Sequence, residues 1–85
     1  MSKNEKLQLT ISSANGDWEH DFPPHQPLHA VKTEAMAHLH MDPSQKDQFV
    51  LTYNGQVLNE SQTLAEANIP DHSVLMLEKK DITKI

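Results

Sequence analysis

Only two glycines occur in the chain, and each directly follows an asparagine: Asn15-Gly16 and Asn54-Gly55. An Asn-Gly pair favours a tight hairpin turn, because both residues tolerate positive φ at little cost. Before the first turn, Leu7, Leu9 and Ile11 alternate with Gln8, Thr10 and Ser12. After it, Trp18, His20 and Phe22 alternate with Asp17, Glu19 and Asp21. A period of two marks a strand with one buried face. The spacing therefore predicts a hairpin with one apolar face and one hydrophilic, acid-rich face.

Pro23 and Pro24 end that hairpin, since neither can donate to a ladder. Pro27 suits the first turn of a helix, where its missing N–H is not needed. From there Leu28, Val31, Ala35 and Leu39 recur at helical spacing and define one buried stripe. Asp42-Pro43 is expected to close this helix after three to four turns, and His20 to lie inward beneath it. Phe49 to Tyr53 reads as a third strand, and Gln56 to Leu58, past the second Asn-Gly, as a short fourth. Thr63-Leu64-Ala65-Glu66 forms a capping box opening one helical turn, which Asn68 can stop in the left-handed region. Ser73 to Glu78 is the last strand, with Leu75 and Leu77 inward. The expected organisation is a flexible N-terminus (1–6), one domain (7–78) and a polar C-terminal tail (79–85). The core should be Leu7, Leu9, Ile11, Trp18, Phe22, Leu28, Val31, Leu51, Leu58, Leu64, Ile69, Leu75 and Leu77.

Composition removes several functions. Without cysteine there are no disulfides, thiolate metal sites or cysteine nucleophiles, and the reducing cytoplasm is the expected compartment. All seven basic residues are lysines and the net charge is −5. Arginine-based readout and counterion release are both missing, so nucleic acid is not an expected partner. No apolar stretch approaches the roughly 18 residues of a membrane span. The chain has no phosphate loop, no nucleophile motif and no paired acids with a plausible cleft, so no enzyme and no cofactor are expected. Six histidines invite a metal reading. His38 and His40 stand two apart on a helix and do not face each other, and His25 with His29 does not complete a four-ligand set, so no metal is expected. Protonating these imidazoles should carry the charge through zero near the pI of 5.5 and promote self-association. Light scattering compared at pH 7.5 and pH 5.5 should rise at the lower value, about one unit below the ordinary imidazole pKa.

The stretch Leu51-Thr-Tyr-Asn-Gly-Gln-Val-Leu58, then Thr63-Leu-Ala-Glu-Ala-Asn-Ile69, then Ser73-Val-Leu-Met-Leu77 resembles ubiquitin. Upstream, Phe22, Pro24, Leu28 and Val31-Lys32 fall where ubiquitin enters its helix. The likeness covers roughly residues 7 to 78. It implies an α+β, ubiquitin-like β-grasp fold: a mixed sheet ordered 2-1-5-3-4, one helix across it, and a short helix before the last strand. It also implies an ion pair of Lys32 with Glu60, joining the helix to the loop after strand four.

Three departures from the family pattern stand out. No Gly-Gly pair is present to serve as the C-terminal diglycine of conjugated modifiers, so trimming could not expose one. The family's recognition patch would fall at Thr52, Gly55, Met76 and Glu78, smaller and partly polar, with Val50 and Val74 flanking. Between helix and third strand the chain is about three residues longer than ubiquitin, and residues 38–48 are the least ubiquitin-like segment. The expected partner surface is Val50, Thr52, Tyr53, Val74 and Met76 on the sheet face, with Lys84 and Ile85 as the active end of the tail. The resemblance implies a monomeric protein-binding module. One reading is a bacterial ubiquitin-like modifier handled by E1-like, E2-like and JAB-peptidase-like partners. The alternative is a non-conjugated adaptor such as the ubiquitin-like component of type VII secretion.

Overall fold

The computed structural model describes residues 6–80. Strand β1 (Leu7–Ser13) pairs antiparallel with β2 (Gly16–Phe22), setting Leu9 opposite His20 and Ile11 opposite Trp18. The two Asn-Gly pairs are not equivalent. Asn54 and Gly55 both have positive φ, 53° and 82°, and fill the turn between β3 (Phe49–Tyr53) and β4 (Gln56–Val57). In the first turn only Gly16 is positive, at φ 127°, where it re-enters the ladder opposite Ser13. The Asn15 side chain instead donates from Nδ2 to the Leu39 carbonyl at 3.0 Å, docking the turn on the end of the helix.

Helix α1 (Leu28–His38) is three turns long and ends before Asp42-Pro43. His40 adopts φ 61°, the His40 N–H donates to the Ala37 carbonyl, and the Met41 N–H donates to the Met36 carbonyl at 2.8 Å. These two bonds form a Schellman closure with histidine where glycine is usual. Asp42-Pro43 therefore does not close the helix; it opens a 3₁₀ helix, Pro43–Gln48, as its cap and first residue. The Asp42 carboxylate accepts from the Ser44 N–H and hydroxyl, at 3.0 and 2.8 Å.

Those bonds, the main-chain one first, hold the Asp42 carboxyl below its ordinary pKa of 3.8. A group whose pKa is lower folded than unfolded contributes stability above the unfolded value and loses it as pH falls through the folded one. Asp42→Ala should thus be less stable than the parent at pH 5. The difference should shrink steadily below pH 3.8, as followed by urea unfolding at each pH.

The sheet has the order β2-β1-β5-β3-β4, with β5 (Val74–Lys79) parallel to β1 and antiparallel to β3. This is the ubiquitin-like β-grasp arrangement. One sheet face and α1 enclose Leu9, Ile11, Phe22, Leu28, Val31, Ala35, Met36, Leu51, Leu64, Leu75 and Leu77, with Leu39 and Ile69 at the margin. Leu7, Trp18 and Leu58 only partly enter this interior, and Met36 joins it beyond the expected stripe. The Thr63–Glu66 box is reciprocal: the Glu66 N–H donates to Thr63 Oγ1, and the Thr63 N–H to Glu66 Oε1. It supports a single turn, closed by Asn68 at φ 59°.

His20 departs from its expected position. It lies on the helix-facing side of the edge strand β2 but is exposed, between half-buried Trp18 and buried Phe22. Its ring stacks on Trp18 at 4.8 Å, and Trp18 in turn stacks on His38 at 4.3 Å.

Lys32 is only 5% exposed. Its ammonium donates to the Lys46 carbonyl at 2.7 Å and the Phe49 carbonyl at 2.9 Å, and lies 2.8 Å from Glu60 Oε1. Three donors meet three acceptors, so no N–H of the buried ammonium is left without a partner. The ammonium thereby ties α1 to both ends of the segment leading into β3 and to the loop after β4.

Candidate functional site

Register alone assembles the outer face of the sheet. Asp17 lies opposite Ser12, Ser12 beside Met76, Met76 opposite Thr52, and Thr52 opposite Val57, a single row crossing all five strands. A second row runs from Glu19 through Thr10 to Val74, and Val50 lies opposite Glu78. The face is therefore graded. It is acidic on β2, hydroxyl-bearing on β1, and across β5, β3 and β4 it carries Val74, Met76, Val50 and Val57 with Thr52 and Glu78 among them.

On the apolar side, Val57, Val74 and Met76 are 65%, 52% and 42% exposed. Val50 is half-buried beside them. Thr52 sits at the centre of the row but is only 7% exposed, and its hydroxyl donates to Glu78 Oε2 at 2.9 Å. Its side chain orients Glu78 and is not itself a contact surface. Tyr53 belongs to the other face. It alternates with Thr52 and packs against the core, so it leaves the group expected at the sheet face. Val57 takes its place. The signal for Val57 was present in the sequence: counting back across a two-residue turn puts it opposite Thr52 and on the same side.

Beside Met76 the face opens into a cleft of about 610 Å³ between the first turn and the end of β5. Asn15, Met41, Phe49, Met76 and Lys79 line it. Next to Lys79, the Lys80 N–H donates to the Gln48 carbonyl. Lys84 and Ile85 lie outside the described residues.

The histidines are dispersed: His25 and His29 are exposed, His38 stacks on Trp18, His40 closes the helix, and His72 lies 3.4 Å from Asp71. Among the described residues, no group of three or more histidines and acids could hold a metal ion. No helix of the described residues is long and apolar enough to cross a membrane.

A model of the ubiquitin family matches residues 9–81, nearly the whole chain. The chain belongs to the ubiquitin family. Ubiquitin-family domains are small, non-enzymatic modules, and this one is no enzyme. Among solved structures, it is similar to a ubiquitin from Caldiarchaeum subterraneum, with a TM-score of 0.76 and 24% identity over 94% of this chain and 100% of that one. A designed protein based on ubiquitin matches with a TM-score of 0.76 and 22% identity over 94% and 95% of the two chains. The N-terminal ubiquitin-like domain of the 4931431F19Rik protein matches with a TM-score of 0.73 and 15% identity over 100% and 88%. At these identities the likeness speaks for the fold alone. No curated protein sequence matches this ubiquitin-family chain.

Proposed function

We propose that this ubiquitin-family domain works by being bound, and that the β5–β3–β4 half of its outer sheet face is the docking surface for a protein partner. The observation that carries this reading is that the valines and methionine of the outer face, Val50, Val57, Val74 and Met76, all lie on β5, β3 and β4. Three of them are largely exposed on a sheet face whose other half is polar and acidic. Scattered exposed apolar residues are ordinary, but several gathered on one half of a face whose other half is charged fit an interface core with a polar rim.

Within that reading the domain is a bacterial-type modifier handled by E1-like and E2-like enzymes and a JAB-like peptidase in the cytoplasm. The sheet face docks on the enzyme while the tail, with Lys84 and Ile85, enters its active site. Family membership supports this version. A second version, a non-conjugated adaptor of the type VII secretion kind, is favoured by one observation: the 85 residues contain no Gly-Gly pair.

Incubating the protein with lysate and ATP, then searching by mass spectrometry for heavier covalent species, separates the two. Adducts that vanish on deleting residues 81–85 are expected of the modifier. A stable partner that co-purifies without any adduct is expected of the adaptor. In both cases Met76→Glu should abolish partner capture while leaving unfolding stability within about 0.5 kcal/mol of the parent, as for most exposed sites. Undiminished capture by Met76→Glu together with Val74→Asp would remove this face from the function.

A further inference from the structure

Strand β2 is the outermost strand on its side of the sheet, and among the described strands only β1 pairs with it. In an antiparallel ladder, residues bonded to the partner strand alternate with residues whose N–H and C=O point away from it. On β1, the Thr10 N–H donates to the Ser73 carbonyl, and the Gln8 carbonyl accepts from the His72 N–H. The Gln8 N–H donates to the Asp71 carboxylate. Thr10 and Gln8 thus direct their main chain away from β2. Glu19 faces Thr10, Asp21 faces Gln8, and Asp17 faces Ser12 in the same alternation. The main-chain groups of Asp17, Glu19 and Asp21 accordingly point to the open edge.

These residues also place three exposed carboxylates in a row on the outer face. Only Asp17 is engaged by a described side chain, accepting from the Ser12 hydroxyl at 2.8 Å. On the opposite side of the same strand, Trp18 and His20 form a stacked aromatic shelf. Open hydrogen-bonding groups, a carboxylate at every second residue and an aromatic shelf between them all lie on one seven-residue strand.

We propose that the edge of β2 accepts an extended segment of a partner protein that carries lysine or arginine at every second position. Such a segment would lie about 4.8 Å from β2, and its outward side chains would repeat about every 6.7 Å, matching the spacing of the carboxylates. Its main chain would take up the open N–H and C=O groups, the usual basis of strand addition. Its alternate, apolar side chains would rest on the exposed His20 ring, which Trp18, itself stacked on His38, holds in place. A second copy of β2 is a poor occupant, because it would set one acid row against another, and like charges directly opposite are destabilising. The proposal does not depend on the β5–β3–β4 face being used, since the two surfaces lie on different strands. The competing account is that the acids serve only to protect a bare edge from unwanted pairing.

The test measures amide hydrogen exchange on the full chain in the presence of synthetic peptides. A heptapeptide of alternating lysine and valine, added at about ten times its dissociation constant, should slow exchange at Asp17, Glu19 and Asp21 about tenfold. An alternating glutamate–valine peptide should not. Glu19→Lys combined with Asp21→Lys, at exposed positions, should reverse the preference between the two peptides. If that variant fails to fold, a lysine–valine peptide N-methylated on its pairing amides serves as the second control and should give no protection. Absence of slowing with the lysine–valine peptide overturns the proposal and leaves the acids as edge protection. Equal effects from the N-methylated peptide also overturn it, since charge alone would then suffice. Concentration-dependent protection without any peptide would assign the edge to a second copy instead.

Discussion

Lys32→Ala should destabilise the domain by about 3–5 kcal/mol, the usual cost of breaking a buried charge pair from one side. The ammonium is the shared donor for the Lys46 carbonyl, the Phe49 carbonyl and Glu60. Alanine would leave all three acceptors without it, and two are main-chain groups fixed at the ends of the segment entering β3. For a domain of this size each kcal/mol shifts the melting temperature by about 4–8 °C, so a loss of at least about 12 °C is expected. Glu60→Gln should cost less, because the Glu60 side chain is 25% exposed and water can reach it, whereas that of Lys32 is 7% exposed. Combining Lys32→Met with Glu60→Leu should recover only the part of the loss that belongs to the carboxylate. The two carbonyls remain orphaned in that double variant. Urea unfolding of the four proteins measures each term, and a loss below about 1 kcal/mol for Lys32→Ala would mean that the carbonyls find other donors.

Leu64→Ala should cost about 2–5 kcal/mol, although Leu64 lies on neither a strand nor a regular helix. It is fully buried and shares the core with Phe22 and Leu28. Its segment is fastened to the entrance of α1 by main-chain bonds: the Leu64 N–H to the Gln26 carbonyl, the Ala65 N–H to the Pro24 carbonyl, and the Leu28 N–H to the Gln62 carbonyl. Those bonds hinder the loop from collapsing inward when its side chain is shortened, so a cavity should persist. Val57→Ala is the matched comparison on the sheet. With Val57 65% exposed, its loss should stay within about 0.5 kcal/mol. Comparable losses at the two positions, measured by denaturant midpoint at constant m-value, would contradict the burial that defines this fold.

Much of the architecture is legible in the residues because several local signals agree. The third strand, Phe49–Tyr53, falls where alternation and the Asn54-Gly55 turn put it, and the first, second and last strands begin or end within about a residue of expectation, well inside the usual uncertainty. The end of α1 was not legible. Its left-handed closing residue is His40, and a histidine at that position carries none of the signal of a glycine. The exposure of His20 is illegible for a different reason. A period of two identifies the face of a strand but not whether that strand is central or at the edge. On the edge strand β2 the inward direction buries Phe22 but leaves His20 exposed, so facing the helix side is not by itself burial.

The candidate site was half legible. Alternation places Val50, Thr52, Val74 and Met76 on one side, but it carries no sign that Thr52 is buried there and holds Glu78. Tyr53 has the opposite parity to Val50 and Thr52, and that parity alone assigns it to the core-facing side. The main-chain partners of Lys32 could not be read at all, since a carbonyl that accepts a side chain leaves no trace in residue identity.

Strand β5 lies between β1 and β3, and Thr10 registers with Val74, 64 positions further along the chain. A nascent chain emerging from a ribosome could form its first hairpin and helix early. The centre of the sheet would nevertheless stay vacant until Val74–Lys79 had cleared the exit tunnel. Closure should then come as a single late event, during which Leu9, Ile11 and Leu51 pass from solvent to interior together, and any pause in translation before that point would hold them exposed to chaperones and proteases.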